Sequence, residues 1–372
     1  MPQAATEENA TRVGRSIVFH GPGIPLELRQ WDIPNPGSGE YLLEVVLAGV
    51  CGTEPHRLSG EVPAPGRPVC FGHETVGRVV ALGHGVTTDY GGTPLAVGDL
   101  AYFLSVVPCG QCPACLAEIP LICDHYGETW PIPALGPNAA GFQDYAVVPA
   151  LAPLYRIPES VDPEAVIAFG CAMPTAITGF RRLGPVPDSV VVLGTGPVGL
   201  ASTLLAALGG ATQIIAVGDP APRLEIAKRL GATHTIPLTG TTASERRATI
   251  FELTGGRGAA AVIEAAGHRS AFPEGFELLG KGGRFLVMGL FSGEATAPID
   301  PIRINNLSLH ILGTLGNAPD SLKETIDIAI AHGDRLGFAE LVTDRFPLEE
   351  TEAAIANVAS GHGIKTVVLP RP

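Results

Sequence analysis

The first chemical signal in this sequence comes from its cysteines. Four of them share one short segment, Cys109-x2-Cys112-x2-Cys115-x7-Cys123. Four thiolates this close in sequence can close a tetrahedral zinc site with no open position, a structural arrangement rather than a reactive one. A ferredoxin-type iron–sulfur run needs a shorter last spacing and usually a following proline, whereas Asp124 follows Cys123. Disulfides are the other reading of the same spacing, disfavoured in a chain of cytosolic character. Three more groups stand apart: Cys51 in GVCGTEPH, His73 in FGHE and Cys171 in FGCAMP. Together they make a three-ligand zinc site whose fourth position is open to water or substrate. Taken singly, Cys51 and Cys171 also read as buried apolar thiols, and His73 as a core histidine bonded to backbone.

The second signal is Gly194-Thr195-Gly196-Pro197-Val198-Gly199, a G-x-G-x-x-G that follows the β-rich run SVVVLG and opens an apolar helical stretch. In that context the first glycine allows a tight turn, the second lets backbone approach a pyrophosphate, and the third lets helix and strand pack closely. The helix N-terminus then receives the phosphates. A turn with no ligand is the competing reading. Asp219, 20 residues after Gly199, stands at the end of the next strand, where an acid bonds the ribose 2′-hydroxyl and repels a 2′-phosphate. It also reads as a turn residue before Pro220. The expectation is NAD, with NADP left open.

The elements that must hold these groups change character along the chain. Before residue 160, short apolar runs (GRSIVFH, YLLEVVLAGV, ETVGRVVALG, LAYFLSV, DYAVVP) alternate with Gly- and Pro-rich turns, the pattern of an all-β domain. From about residue 176, strand-like runs alternate with helical ones: SVVVLG, then 198–208; QIIAVG, then RLEIAKRLG; AAVIEAAG, a helical stretch, then RFLVMGL. This alternation predicts βαβ units and a parallel sheet. An amphipathic helix over 320–333 and a strand-like KTVVLP close the chain.

Composition bounds the rest. With 372 residues, 45% of them apolar, the chain can fill two cores, since single cores stop growing near about 250–300 residues. Twenty-four Lys and Arg against 37 Asp and Glu give −13, which leaves no electrostatic case for nucleic acid or an anionic membrane. The polar N-terminus lacks a signal-like apolar region, and no apolar run reaches membrane-spanning length. A cytoplasmic protein is expected.

Taken in this order, the motifs resemble those of the zinc-dependent medium-chain alcohol dehydrogenases, and the resemblance covers nearly the whole chain. It implies an α/β protein, with a GroES-like catalytic β domain over 1–175 that returns at 316–372 and a Rossmann domain of doubly wound parallel sheet over 176–315. It implies two zincs per chain, a catalytic one on Cys51, His73 and Cys171 and a structural one on Cys109, Cys112, Cys115 and Cys123. Thr53 resembles the hydroxyl that bonds the alcohol oxygen, and His56 the histidine that relays its proton outward. Glu54, where many members have Asp, and Glu74 of the GHE motif are expected behind the metal. Lys365 in GIKT resembles the basic residue that reaches the cofactor pyrophosphate, and Gly289 and Leu290 fall near the nicotinamide. One departure concerns the cofactor. Relatives carry the ribose-binding acid where this chain has Gly218, and several NADP-using relatives also have Gly there, followed by Ser and Arg.

The implied reaction is reversible hydride transfer between NAD(P) and a hydrophobic primary or secondary alcohol, cyclic or terpenoid by our reading. Tyr102, Phe103, Trp130 and Leu290 are expected in the approach loops. An NADPH-preferring carbonyl reductase of the same family and a non-catalytic zinc-binding relative are the alternatives. By resemblance the assembly is a homodimer or homotetramer, and the partner is a small molecule.

Overall fold

The computed structural model describes residues 12–62, 67–117, 119–125, 138–291 and 296–371. The N-terminal half is β-rich. It contains β1 (Arg12–Phe19), β2 (Glu27–Ile33), β3 (Glu40–Val50), the short helix α1 (Thr53–Leu58), β4 (Val69–Cys70), β5 (Glu74–Leu82), β6 (Leu100–Leu104), a four-residue α2 (Pro113–Leu116), β7 (Tyr145–Pro149) and β8 (Leu154–Ile157). β1, β2 and β4 make a small antiparallel sheet. The main sheet runs β3-β5-β6-β8, with β7 also paired to β3. Its runs are heavily apolar because most of these strands are covered on both faces: β6 reads LAYFL with four of its five residues buried.

That burial corrects one expectation. Tyr102 and Phe103 are core residues of β6, both 0% exposed, and Tyr102 Oη donates to the Gly170 carbonyl at 3.0 Å. Neither belongs to an approach loop. Trp130 lies outside the described residues. The long 86–100 connection is an ordered loop. Asp89 accepts from the Gly91, Thr93 and Arg156 N–H groups, while Val86 and Leu95 enter the core.

Helices α3 (Pro163–Ile167) and α4 (Ala172–Leu183) lead to the second layer system. There β9 (Ser189–Leu193), α5 (Pro197–Leu208), β10 (Gln213–Gly218), α6 (Ala221–Arg229), β11 (His234–Pro237), α7 (Ala243–Leu253), β12 (Ala259–Glu264), α8 (Ala271–Leu278), β13 (Leu279–Val287), α9 (Pro301–Leu307) and β14 (His310–Gly313) alternate. The six strands are parallel in the order β11-β10-β9-β12-β13-β14. Strand order reverses between β9 and β12, so a crevice opens beyond the carboxyl ends of these two strands, where ligands bind in such sheets.

After β14 the chain forms α10 (Ser321–Leu336), β15 (Val342–Pro347), α11 (Thr351–Ser360) and β16 (Lys365–Leu369). β16 pairs antiparallel with β3, Thr366 opposite Val50. The chain end therefore returns to the first sheet, one residue from Cys51. Among the described residues, no helix is long and apolar enough to cross a membrane.

Candidate active site and metal centres

A cleft of about 1010 Å³ separates the two sheet systems. Cys51, Thr53, His56, His73 and Cys171 line one wall, and Gly196, Pro197, Val198, Ala265, Gly289 and Leu290 the other.

Three unrelated elements deliver the three isolated metal-ligand candidates. Cys51 follows β3, His73 precedes β5, and Cys171 caps α4. One ligand atom from each of these residues, and a carboxylate oxygen of Glu74, all lie within 4.8 Å of one another. The Cys51 and Cys171 sulfurs are 3.5 Å apart. Sulfurs sharing a tetrahedral zinc at about 2.3 Å lie about 3.8 Å apart, and a disulfide needs about 2.05 Å. The spacing fits a metal and not a bond.

Buried carboxylates hold this set. Glu54, 2% exposed, accepts from His73 Nδ1 at 2.7 Å through Oε1 and from the Cys51 N–H at 2.8 Å through Oε2. Its reach across both neighbours accounts for a Glu here. Bonding Nδ1 to Glu54 leaves Nε2 as the nitrogen available to Cys51 and to a metal. Glu74, 1% exposed, accepts the Cys171 N–H at 2.7 Å through Oε1 and the Lys365 ammonium through Oε2. Lys365 Nζ also donates to the Val50 carbonyl at 3.1 Å. The lysine expected at the pyrophosphate is therefore a buried group, its charge met by Glu74 from behind the sulfurs.

The electrostatics follow. A bond from Cys171 and the nearby His73 hold the Cys51 thiol well below its ordinary value, against burial. The same bond, with burial, pushes Cys171 well up. Burial works against charge on His73, but Glu54 and Cys51 outweigh it and raise the imidazole well above its ordinary value. Burial likewise opposes charge on Lys365, and Glu74, then Cys51, overcome it.

Thr53 Oγ1 sits 3.5 Å from Cys51 Sγ, on the cleft side. His56, on the same short helix, has Nδ1 2.5 Å from Glu61 Oε2. Glu61 was not singled out from sequence, and no motif marks it.

The four-cysteine segment forms a separate lobe. Its sulfurs also lie within 4.8 Å of one another. Cys109–Cys115 and Cys112–Cys123 are each 3.8 Å apart, matching the tetrahedral edge above. Backbone N–H groups of Cys112 and His125 donate to the Cys109 and Cys123 sulfurs. A backbone N–H from Cys115 leads the forces that bring Cys112 down to about 6. None of the seven cysteines is in a disulfide.

On the opposite wall the glycine motif meets its steric demands. Gly194 has φ +106°, and a Cβ on Gly199 would fall 1.8 Å from the Gly194 carbonyl oxygen. A Cβ on Gly196 would meet nothing within 4 Å, leaving open space before the first turn of α5, a cradle fit for a pyrophosphate. Gly289 packs against the 265–267 turn, 2.2 Å from Gly267 N to its would-be Cβ, and Leu290 is exposed in the cleft. Asp219 Oδ2 accepts from both the N–H and the hydroxyl of Thr239, each at 2.8 Å. Two guanidiniums that the motifs did not mark as ligands, Arg57 and Arg223, line the cleft with buried Nε atoms that find no hydrogen-bond partner among the described residues.

Comparison with known proteins agrees with this geometry. Residues 37–159 match the alcohol dehydrogenase GroES-like domain model and 197–331 the zinc-binding dehydrogenase model. A 5-exo-hydroxycamphor dehydrogenase of Pseudomonas putida is 41% identical over 344 residues, 91% of this chain and 94% of that one. An alcohol dehydrogenase structure from Thermotoga maritima superposes with a TM-score of 0.86 at 27% identity, covering 97% of this chain and all of that one. A zinc-binding dehydrogenase from Sinorhizobium meliloti, solved with NADP, gives 0.81 at 27% identity over 96% of this chain and all of that one.

Proposed function

The chain belongs to the zinc-dependent medium-chain alcohol dehydrogenase family, and on that premise we propose how its own residues divide the work. The family supplies the reaction: hydride passes between an alcohol and NAD(P), with zinc as the metal. Our reading gives the cleft zinc to Cys51, His73 and Cys171, and the lobe zinc to Cys109, Cys112, Cys115 and Cys123. The observation that carries it is the convergence of the three distant ligand atoms in a cleft shared with the glycine turn.

When bound, zinc supplies Lewis acidity and the nicotinamide accepts the hydride. Glu54 fixes the His73 tautomer and orients the Cys51 backbone. Glu74 and Lys365 brace Cys171 from behind. Thr53 both accepts and donates, so it can take the alcohol proton at Oγ1 and pass it on. His56 sits near the cleft mouth, partly in solvent, where an imidazole can release that proton; Glu61 holds its Nδ1. Gly194–Gly199 and the N-terminus of α5 seat the pyrophosphate, with Gly289 and Leu290 beside the nicotinamide. Orientation of two reactants across one cleft is the fold's main contribution.

The substrate side is apolar, with Phe71, Val106, Val107, Leu121, Leu290 and Leu315 in the lining. A hydrophobic secondary alcohol fits it, of the kind named for the Pseudomonas putida relative. We assign the catalytic domain to 1–175 with 316–372 and the cofactor domain to 176–315. β14 is an edge strand with Ile311 exposed. Such an edge invites pairing, which supports a homo-oligomer, in the cytoplasm.

The test is zinc content together with reduction of NAD⁺ and NADP⁺ by a panel of hydrophobic alcohols. About two zincs per chain and turnover are expected. One zinc and no turnover on any alcohol would refute the assignment of the cleft site.

A further inference from the structure

His56 has a carboxylate partner whose place is built into the backbone. α1 has only six residues, and the turn that ends it folds back on the histidine. The Ser59 N–H donates to the Pro55 carbonyl at 3.0 Å and the Gly60 N–H to the Arg57 carbonyl at 3.2 Å. Gly60 then takes φ +80°, a left-handed conformation that glycine adopts without strain. Beyond it the Val62 N–H closes on the His56 carbonyl at 3.1 Å, and the Ser59 hydroxyl donates to the same oxygen at 3.1 Å. Glu61, between Gly60 and Val62, is thereby set with Oε2 2.5 Å from His56 Nδ1.

An ionised carboxylate only accepts. Nδ1 therefore carries the hydrogen of this bond, and in the neutral ring Nε2 carries the lone pair. Glu54 imposes the same tautomer on His73, but it does so from the core, with a side chain 3% exposed. Glu61 is 49% exposed and His56 36%. An ion pair so open to water adds little to stability. What the pair does fix is which ring nitrogen is basic, on a histidine that lines the cleft and also meets solvent. A base oriented by a third group is the arrangement that proton transfer needs.

Resting on the proton-relay reading above, we infer that Glu61 is a positioning residue of the reaction: it pins His56 with Nδ1 protonated and Nε2 bare, so that the ring takes up the proton leaving the alcohol. The alcohol O–H bond breaks, an Nε2–H bond forms, and the resulting imidazolium keeps its Nδ1–H on the Glu61 carboxylate until one proton passes to water.

The experiment joins a spectroscopic readout to a double-mutant cycle on the zinc-loaded enzyme. Nitrogen NMR of histidine-labelled protein, with His56 assigned by His56→Ala, should show the Nδ1–H tautomer in the wild type at a pH where the ring is neutral. Glu61→Ala should lose that preference. It should also lower kcat for alcohol oxidation about tenfold, part of the 10²–10⁴-fold that a positioned acid–base group supplies, with KM for alcohol and dinucleotide within about twofold. Glu61→Gln, whose amide oxygen accepts the same N–H, should hold the tautomer and recover much of the rate. In a His56→Ala background, Glu61→Ala should cost nothing more, as groups acting as a unit are not additive. An Nε2–H tautomer in the wild type, an unchanged kcat in Glu61→Ala beside a slow His56→Ala, or additive losses in the double variant would overturn the inference and leave the relay standing. A His56→Ala enzyme as fast as the wild type would overturn both.

Discussion

The two cysteine clusters of this protein are assembled in opposite ways. The lobe draws its four sulfurs from residues 109–123, where the regular structure among the described residues is the four-residue α2 and one short 3₁₀ turn. Its apolar side chains are largely in solvent: Leu116 is 73% exposed and Ile122 51%. Such a segment has little core of its own, so its order depends on what the sulfurs bind. The cleft set spans 120 residues from Cys51 to Cys171. It is held by β3, β5 and α4 and by the buried carboxylates of Glu54 and Glu74. Here the sheet and the buried carboxylates position the ligands. A metal should therefore organise the lobe, while in the cleft it should mainly supply chemistry.

Removing a ligand from each cluster tests this contrast most strongly. Cys51→Ser should lose one of two zincs and lower turnover by more than about 100-fold, exceeding the 10–100-fold typical of groups behind a metal. Its melting temperature should stay near that of wild type. Cys112→Ser should lose the other zinc, keep activity within several-fold at assay temperature, and melt lower, with protection from hydrogen exchange lost first in the lobe. Zinc content, initial rates and melting curves of the two variants decide the matter. Loss of both metals from either variant would show that the clusters are not independent.

Glu54→Gln sharpens the contrast at smaller scale. The amide keeps the shape, but one of the two contacts made by the carboxylate, to His73 Nδ1 or to the Cys51 N–H, loses its charged acceptor. Zinc should leave the cleft about 10–100-fold more readily while the lobe zinc stays. Competition with a chelator reads both rates in one sample, and equal release from the two sites would refute the assignment.

The same contrast governs what could be read from sequence. The lobe is a local spacing, so Cys109 to Cys123 stood out unaided. The glycine turn was legible for the same reason, since Gly194 and Gly199 meet within one turn. Cys51, His73 and Cys171 suggested a site by their chemistry, but each alone also read as a core residue and family resemblance had to join them, because nothing local links β3, β5 and α4. The long strands β3 and β5 and the helix α10 were clear from their apolar patterns, whereas β11 has only four residues and β15, VTDRFP, is half polar and mostly uncovered. Lys365 and Asp219 were expected at the cofactor, but their partners are set by folding. Glu74 captures the lysine from another sheet strand, and Thr239 captures the aspartate from the next loop. Tyr102 and Phe103 failed as cleft residues because an aromatic pair in a β run reads the same on a strand covered on both faces as at a loop.

A third buried carboxylate gives the smallest and most specific test. Glu54 and Glu74 each bond a cationic partner, but Glu264, at the end of β12, bonds only backbone among the described residues: Oε1 accepts from the Ala266 and Gly267 N–H groups, with His268 the nearby cation. Burial raises its pKa above the ordinary 4.5, and the backbone donors offset this only in part. The folded state therefore holds this proton to higher pH than the unfolded chain does. Stability linked to it falls as pH rises from about 4.5 through the folded value. Glu264→Gln keeps the Oε1 acceptor and cannot titrate. Relative to wild type, it should gain stability between pH 4 and 8, as read from urea unfolding at each pH. If wild type instead gains on the variant over that range, Glu264 is stabilised as an anion. His268, beside the 265–267 turn, would then be the cation that holds it, as Lys365 holds Glu74.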